Sequence, residues 1–150
     1  MRVHIASDHA GFELKAFLVE QLRADGWDVV DHGPEVYDAD DDYPVTVIPC
    51  AEACVAQDEL GIVLGGSGNG EQIAANKVIG CRAGLAYNIE TAQLARAHNN
   101  AQVIGIGARM HTPEEAWAIV QAFLTTDFTG EERHVRRIGM LTRYENGEAL

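Results

Sequence analysis

Short apolar runs at Val3–Ala6, Trp27–Val30, Gly61–Leu64, Ala83–Ala86 and Gln102–Ile106 alternate with segments whose apolar residues recur at helical spacing. This alternation constrains the fold more than any other feature. It predicts strands joined by crossover helices, an α/β protein whose parallel sheet is covered on both faces. One helix should carry Leu14, Phe17, Leu18 and Leu22 on one face and meet Gly26 at its C′ position. Another opens with Thr112-Pro-Glu-Glu115, a capping box with proline at the first helical position, and continues through Ala116, Ile119, Val120 and Phe123. Helices are also expected near Pro44–Ala56 and Glu90–His98, with Pro49 kinking the former or shifting its start.

The chain has 150 residues, 47% of them apolar, which suits a single domain over residues 1–150 and leaves no room for a second. A formal net charge of −12 argues against nucleic acid or an anionic membrane as partner, so an anionic ligand must meet a local basic cluster. The N-terminus has no long apolar stretch and no segment is long enough to span a bilayer, so a cytoplasmic location is expected. Cys50, Cys54 and Cys81 are an odd set without Cys-x-x-Cys spacing and read as reduced core thiols.

The third apolar run empties into Gly65-Gly-Ser-Gly-Asn-Gly-Glu71. Glycines there let backbone N–H groups converge on an anion. Glu71 stands where a dinucleotide loop has its third glycine, and no Gly-Lys-Ser/Thr follows, so neither NAD nor ATP is indicated. A base or nucleophile (Glu71, Ser67) beside N–H donors is the pairing that proton abstraction next to a carbonyl needs. The same residues equally suit a tight strand-to-helix turn with Glu71 as a first-turn dipole partner.

Asp8-His9 follows the first apolar run at the strand end where open α/β sheets place ligands, although Asp8 also suits a helix N-cap. His98, in His98-Asn-Asn100, reads by itself as a structural residue at a helix C-terminus. Arg133 and Arg137 share a helix face and could grip one phosphate, while Val135 and Ile138 should turn inward and Arg136 should pair with surface acids. An ordinary amphipathic terminal helix is the alternative. Asp38-Ala-Asp-Asp-Asp-Tyr43 lacks the glycine and glutamate of a calcium loop and reads as a solvated surface loop. No residue set has metal-ligand spacing, so proton chemistry without metal or cofactor is expected.

Taken together, Ser7-Asp-His-Ala-Gly11, Gly65–Glu71, Ile73-Ala-Ala-Asn-Lys77, Ala97-His-Asn-Asn100 and Gly105-Ile-Gly-Ala-Arg109 resemble the ribose-5-phosphate isomerase B family, including its allose- and galactose-6-phosphate isomerase relatives. The resemblance implies a Rossmann-like three-layer sandwich and metal-free aldose–ketose isomerisation of a phosphorylated sugar. It further implies sites shared across a homodimer, sometimes paired into tetramers, and an arginine-bearing helix near residues 131–146. Many members place a cysteine base where this chain has Gly65; the chain resembles instead the branch, familiar from mycobacterial enzymes, that uses a glutamate at the position of Glu71. By that resemblance, Glu71 moves the proton through a cis-enediolate, with Ser67 and the N–H groups of the loop (Gly66, Gly68, Asn69, Gly70) around it. His98 assists ring opening. Asp8, His9 and Asn99 hold sugar hydroxyls, and Arg109, Arg133, Arg137 and His134 meet the phosphate. Since all these groups are in one chain, a homomer acting on ribose 5-phosphate is expected, with the hexose 6-phosphates and a non-catalytic sugar-phosphate sensor as alternatives.

Overall fold

The structure, a computed structural model, describes every residue from Met1 to Leu150. Five strands, β1 (Arg2–Ser7), β2 (Asp28–Asp31), β3 (Leu60–Gly65), β4 (Ala83–Leu85) and β5 (Val103–Gly107), form one sheet in the order β2-β1-β3-β5-β4. Every neighbouring pair is parallel, as the alternating pattern requires. Six α-helices accompany them: α1 (Phe12–Ala24), α2 (Pro44–Gln57), α3 (Asn69–Ala75), α4 (Ile89–Asn99), α5 (Pro113–Leu124) and α6 (Glu132–Glu145).

Side-chain alternation along the strands divides the core in two. Val3, Ile5, Ile62, Leu64, Ile104 and Ile106 pack on Leu14, Leu18 and Leu22 of α1 and on Ile119, Val120 and Phe123 of α5. Ala6, Val63, Ala83 and Val103 meet Val47, Cys50 and Cys54 of α2 with Ala74 and Ala75 of α3. The result is a three-layer α/β sandwich. All three cysteines are buried thiols, and burial pushes Cys81 up to about 12.

Local signals set the helix ends. Gly26 adopts φ +89° just past α1. At α5, Thr112 and Glu115 exchange side-chain-to-backbone hydrogen bonds as a complete capping box. Pro49 does not shift the start of α2, which begins at Pro44 and runs through it. The N–H that proline lacks would have bonded the carbonyl of Val45, which lies in an exposed turn that water can solvate.

The terminal helix departs most from expectation. Arg136 pairs with Glu132 as anticipated, but Val135 is 51% exposed instead of facing the core. Ile138 is half-buried, and His134 is the buried residue of α6. The helix docks against α4, and its Glu145 carboxylate accepts from the Gly80 N–H.

Candidate active site

The carboxyl edge of the sheet gathers the first group of residues. β3 ends at Gly65, the chain turns through Gly66–Gly68, and α3 begins at Asn69. Gly68 takes φ +82° and lies so near the backbone of Ile106 that a side chain there would collide with β5. The turn leaves the N–H groups of Ser67, Gly68 and Gly70 without a backbone acceptor, as expected at a helix start. Ser67 Oγ accepts from both the backbone and the side-chain amide of Asn69, leaving its own O–H free to donate.

Glu71 lies in the first turn of α3 and is only 4% exposed. Its carboxylate fills the space above the Cα of Gly65, so that a Cβ built on Gly65 would fall among the carboxylate atoms. Burial raises the pKa of Glu71, Asp8 adds to the effect by like charge, and its own backbone N–H works against both. The carboxylate is thus desolvated within the single chain. Arg109, in the turn after β5, brings Nη1 to within 3.2 Å of where a Gly66 side chain would begin.

Asp8 caps the single 3₁₀ turn His9–Gly11, its Oδ1 accepting from the Gly11 N–H at 3.1 Å. His9 is held by Asp41, whose Oδ1 accepts from the His9 backbone N–H at 3.0 Å and pairs with Nδ1 at 2.8 Å. That hydrogen bond raises the pKa of His9. The acidic loop is therefore not merely solvated. Asp38 and Asp40 are exposed, but Asp41 turns inward, and the Tyr43 ring lies 2.8 Å from where a Gly70 side chain would begin. Asp41 and Tyr43 join the site through contacts with residues distant in sequence, His9 and Gly70. The ligating atoms of Asp8, His9 and Asp41 lie within 4.8 Å of one another and could hold a cation, though the His9–Asp41 hydrogen bond already occupies one side of the imidazole.

The remaining residues lie elsewhere. α4 runs back toward the amino edge of the sheet and ends at Asn99, immediately before β5 starts at Val103. His98 stacks on His134 of α6, with ring centroids 4.3 Å apart and planes inclined by 16°. Burial, followed by the charges of His98 and Arg133, lowers the pKa of His134, and its Nε2 has no partner. Arg133 and Arg137 project from the exposed surface of α6, Arg133 toward Glu131 at 3.0 Å. Strands of five or six residues separate this group from Glu71, about 16 Å at the usual rise. Within one chain, Glu71, Ser67, Asp8, His9, Asn69 and Arg109 form one cluster and His98, Asn99, Arg133, His134 and Arg137 another, at opposite ends of the sheet.

Three comparisons bear on this arrangement. A family model described as Ribose/Galactose Isomerase matches residues 3–141. Ribose-5-phosphate isomerase B of Mycolicibacterium paratuberculosis is 61% identical over 146 residues, covering 97% of this chain and 92% of that protein. The enzyme of the same name from Mycobacterium tuberculosis is 58% identical over the same length, covering 97% and 90%. Among solved structures, ribose-5-phosphate isomerase B from Mycoplasma genitalium with bound ribulose-5-phosphate superposes with a TM-score of 0.92 at 42% identity, covering 97% of this chain and 96% of that one. The Clostridium thermocellum enzyme reaches 0.94 at 36% identity, covering 98% and 99%.

Proposed function

The chain belongs to the ribose/galactose isomerase family, and on that premise we propose that it interconverts ribose 5-phosphate and ribulose 5-phosphate with Glu71 as the base. In the open-chain aldose, Glu71 removes the proton from C2 as electron density moves onto the C1 oxygen. The unpartnered N–H groups of Ser67, Gly68 and Gly70 stabilise the oxygen of the cis-enediolate. Delivery of the same proton to C1, with the O2 proton passing to O1, completes the ketose. Neither step needs a metal or cofactor.

One observation carries this reading. The Glu71 carboxylate occupies the position that a side chain on residue 65 would take, which is where many relatives are expected to carry a cysteine base. Glycine at 65 and glutamate at 71 therefore form a matched pair that supplies a base at one place by a different route.

The two clusters at opposite edges fit a site completed by a second copy. In a homodimer, the carboxyl edge of one subunit faces the partner's α4 and α6, so that His98 assists ring opening and Arg133 and Arg137 join Arg109 at the phosphate. Exposed Ile79, Leu141 and Tyr144 line one groove beside α6 and supply apolar surface for such contact. A cytoplasmic location agrees with three reduced cysteines, and no helix is long and apolar enough to cross a membrane. The direct test offers EDTA-treated enzyme ribose 5-phosphate and allose 6-phosphate side by side, with Glu71→Gln as control. Preference for the pentose, with turnover reduced by roughly 10²-fold or more in the variant, is expected for loss of a general base. Preference for the hexose would reassign the substrate, and binding without turnover would favour the sensor.

A further inference from the structure

Two arginines that no part of the proposed reaction uses converge on the turn that presents His98 and Asn99. Arg82, immediately before β4, donates from Nε to the carbonyl of Asn99 at 2.8 Å and from Nη2 to that of Asn100 at 2.9 Å. Arg96, one turn earlier in α4, donates from Nη1 to Asn100 Oδ1 and to the carbonyl of Ala101, both at 2.8 Å. Asn100 sits in the left-handed region with φ 44° and ψ 45°, a conformation that needs support in any residue other than glycine. Arg82 is itself tied to β5: its N–H donates to Gln102 Oε1 at 2.8 Å, and its carbonyl accepts from the Gln102 N–H at 3.0 Å.

A helix C-terminus can be closed by a single glycine. Here two guanidinium groups are used, at the cost of leaving Arg96 Nε buried without a partner and its pKa lowered by burial. Asp58 lines the same cavity of about 230 Å³ and, with Asp127, offsets the Arg96 charge, yet neither takes a hydrogen bond from these arginines. The donors are directed instead at the carbonyls of residues 99–101 and the side chain of Asn100. Arg82's planar fork, fixed to the sheet, meets two carbonyls at once, a geometry that lysine cannot reproduce.

We propose that Arg82, seconded by Arg96, is a positioning residue that holds the C-terminal turn of α4 so that His98 reaches the ring oxygen of the sugar. The inference rests on the ring-opening role given to His98 above. Ribose 5-phosphate is a furanose that must open before the proton can move. Ribulose 5-phosphate has its C5 oxygen esterified, cannot close a five-membered ring, and enters open-chain. Loss of a device acting through His98 therefore lowers kcat more for the aldose than for the ketose, whereas loss of a residue that only stabilises the fold lowers both equally.

The test compares Arg82→Gln, His98→Gln and the double variant, with initial rates from each substrate and a circular dichroism melt. Arg82→Gln is expected to lower kcat from ribose 5-phosphate on the order of 10- to 100-fold, the effect of misplacing a catalytic group by about 1 Å. The kcat for ribulose 5-phosphate should fall much less, with the KM values shifting so that the ratio of the two kcat/KM values stays at the equilibrium constant, and the double variant should be no slower than His98→Gln alone. Equal losses of kcat from both substrates, or losses that multiply in the double variant, would overturn the proposal. If His98→Gln is impaired while Arg82→Gln is not, the positioning role alone fails. If His98→Gln keeps full turnover of ribose 5-phosphate, the ring-opening role fails and the positioning role with it. The melt reports any unfolding of Arg82→Gln, and Arg96→Gln, which removes the second guanidinium only, should show the same substrate asymmetry in weaker form.

Discussion

Glu71 stands between opposing influences: a helix start that favours its charge and a buried position that disfavours it, with burial the stronger. This has a consequence for stability. As pH rises above the unfolded value of 4.5, the folded chain still holds a proton that the unfolded chain has released, so stability falls until the folded pKa is passed. Glu71→Gln should therefore melt at a higher temperature than the parent at neutral pH, with the difference closing below that value. Equal melting at both pH values would contradict a buried, ionised base. Gly65→Ala places a methyl group among the carboxylate atoms, so Glu71 must move; turnover should drop by roughly 10²-fold while the fold survives, as read by kcat and circular dichroism. The identity of Glu71 as a candidate was legible in the sequence because the glycine loop and its carboxylate are contiguous. Its burial was not, since the walls that desolvate it come from the whole carboxyl edge.

At the scale of elements, the legible parts are those governed by local rules. The Thr112–Glu115 box and the Gly26 terminus appear where the residues predict them, and each of the five apolar runs overlaps a strand. The loop between β2 and α2 departs from the solvated loop that its residues predict because Asp41 makes its contact across 32 residues, to His9. The same holds for α6, whose exposed Val135 breaks a pattern that assumed the helix faces its own core. The Asp41 contact is testable by itself. Since the hydrogen bond to Asp41 is the main cause of the raised pKa of His9, Asp41→Ala should bring the His9 imidazole down toward 6.5 in an NMR titration. The variant should also raise KM more than it lowers kcat, because it frees a group assigned to holding the sugar. An unchanged His9 titration would show that the clasp does not govern the imidazole.

For the whole molecule, the decisive feature is topology. Parallel strands with crossover helices send every strand end to one edge and return the end of α4 to the other, so no rearrangement within the described fold brings His98 near Glu71. The alternating sequence predicts parallel strands, but neither their order β2-β1-β3-β5-β4 nor the resulting separation of site residues can be read from spacing. In the proposed homodimer two copies would resolve the separation, each lending what the other lacks. A direct test mixes two impaired variants, Glu71→Gln and His98→Gln, after dissociation and reassociation. Random pairing makes half the dimers mixed, each with one intact site, so turnover of ribose 5-phosphate should recover to about a quarter of the parent level. A mixture no more active than the average of its two components would contradict a site built from Glu71 of one subunit and His98 of the other.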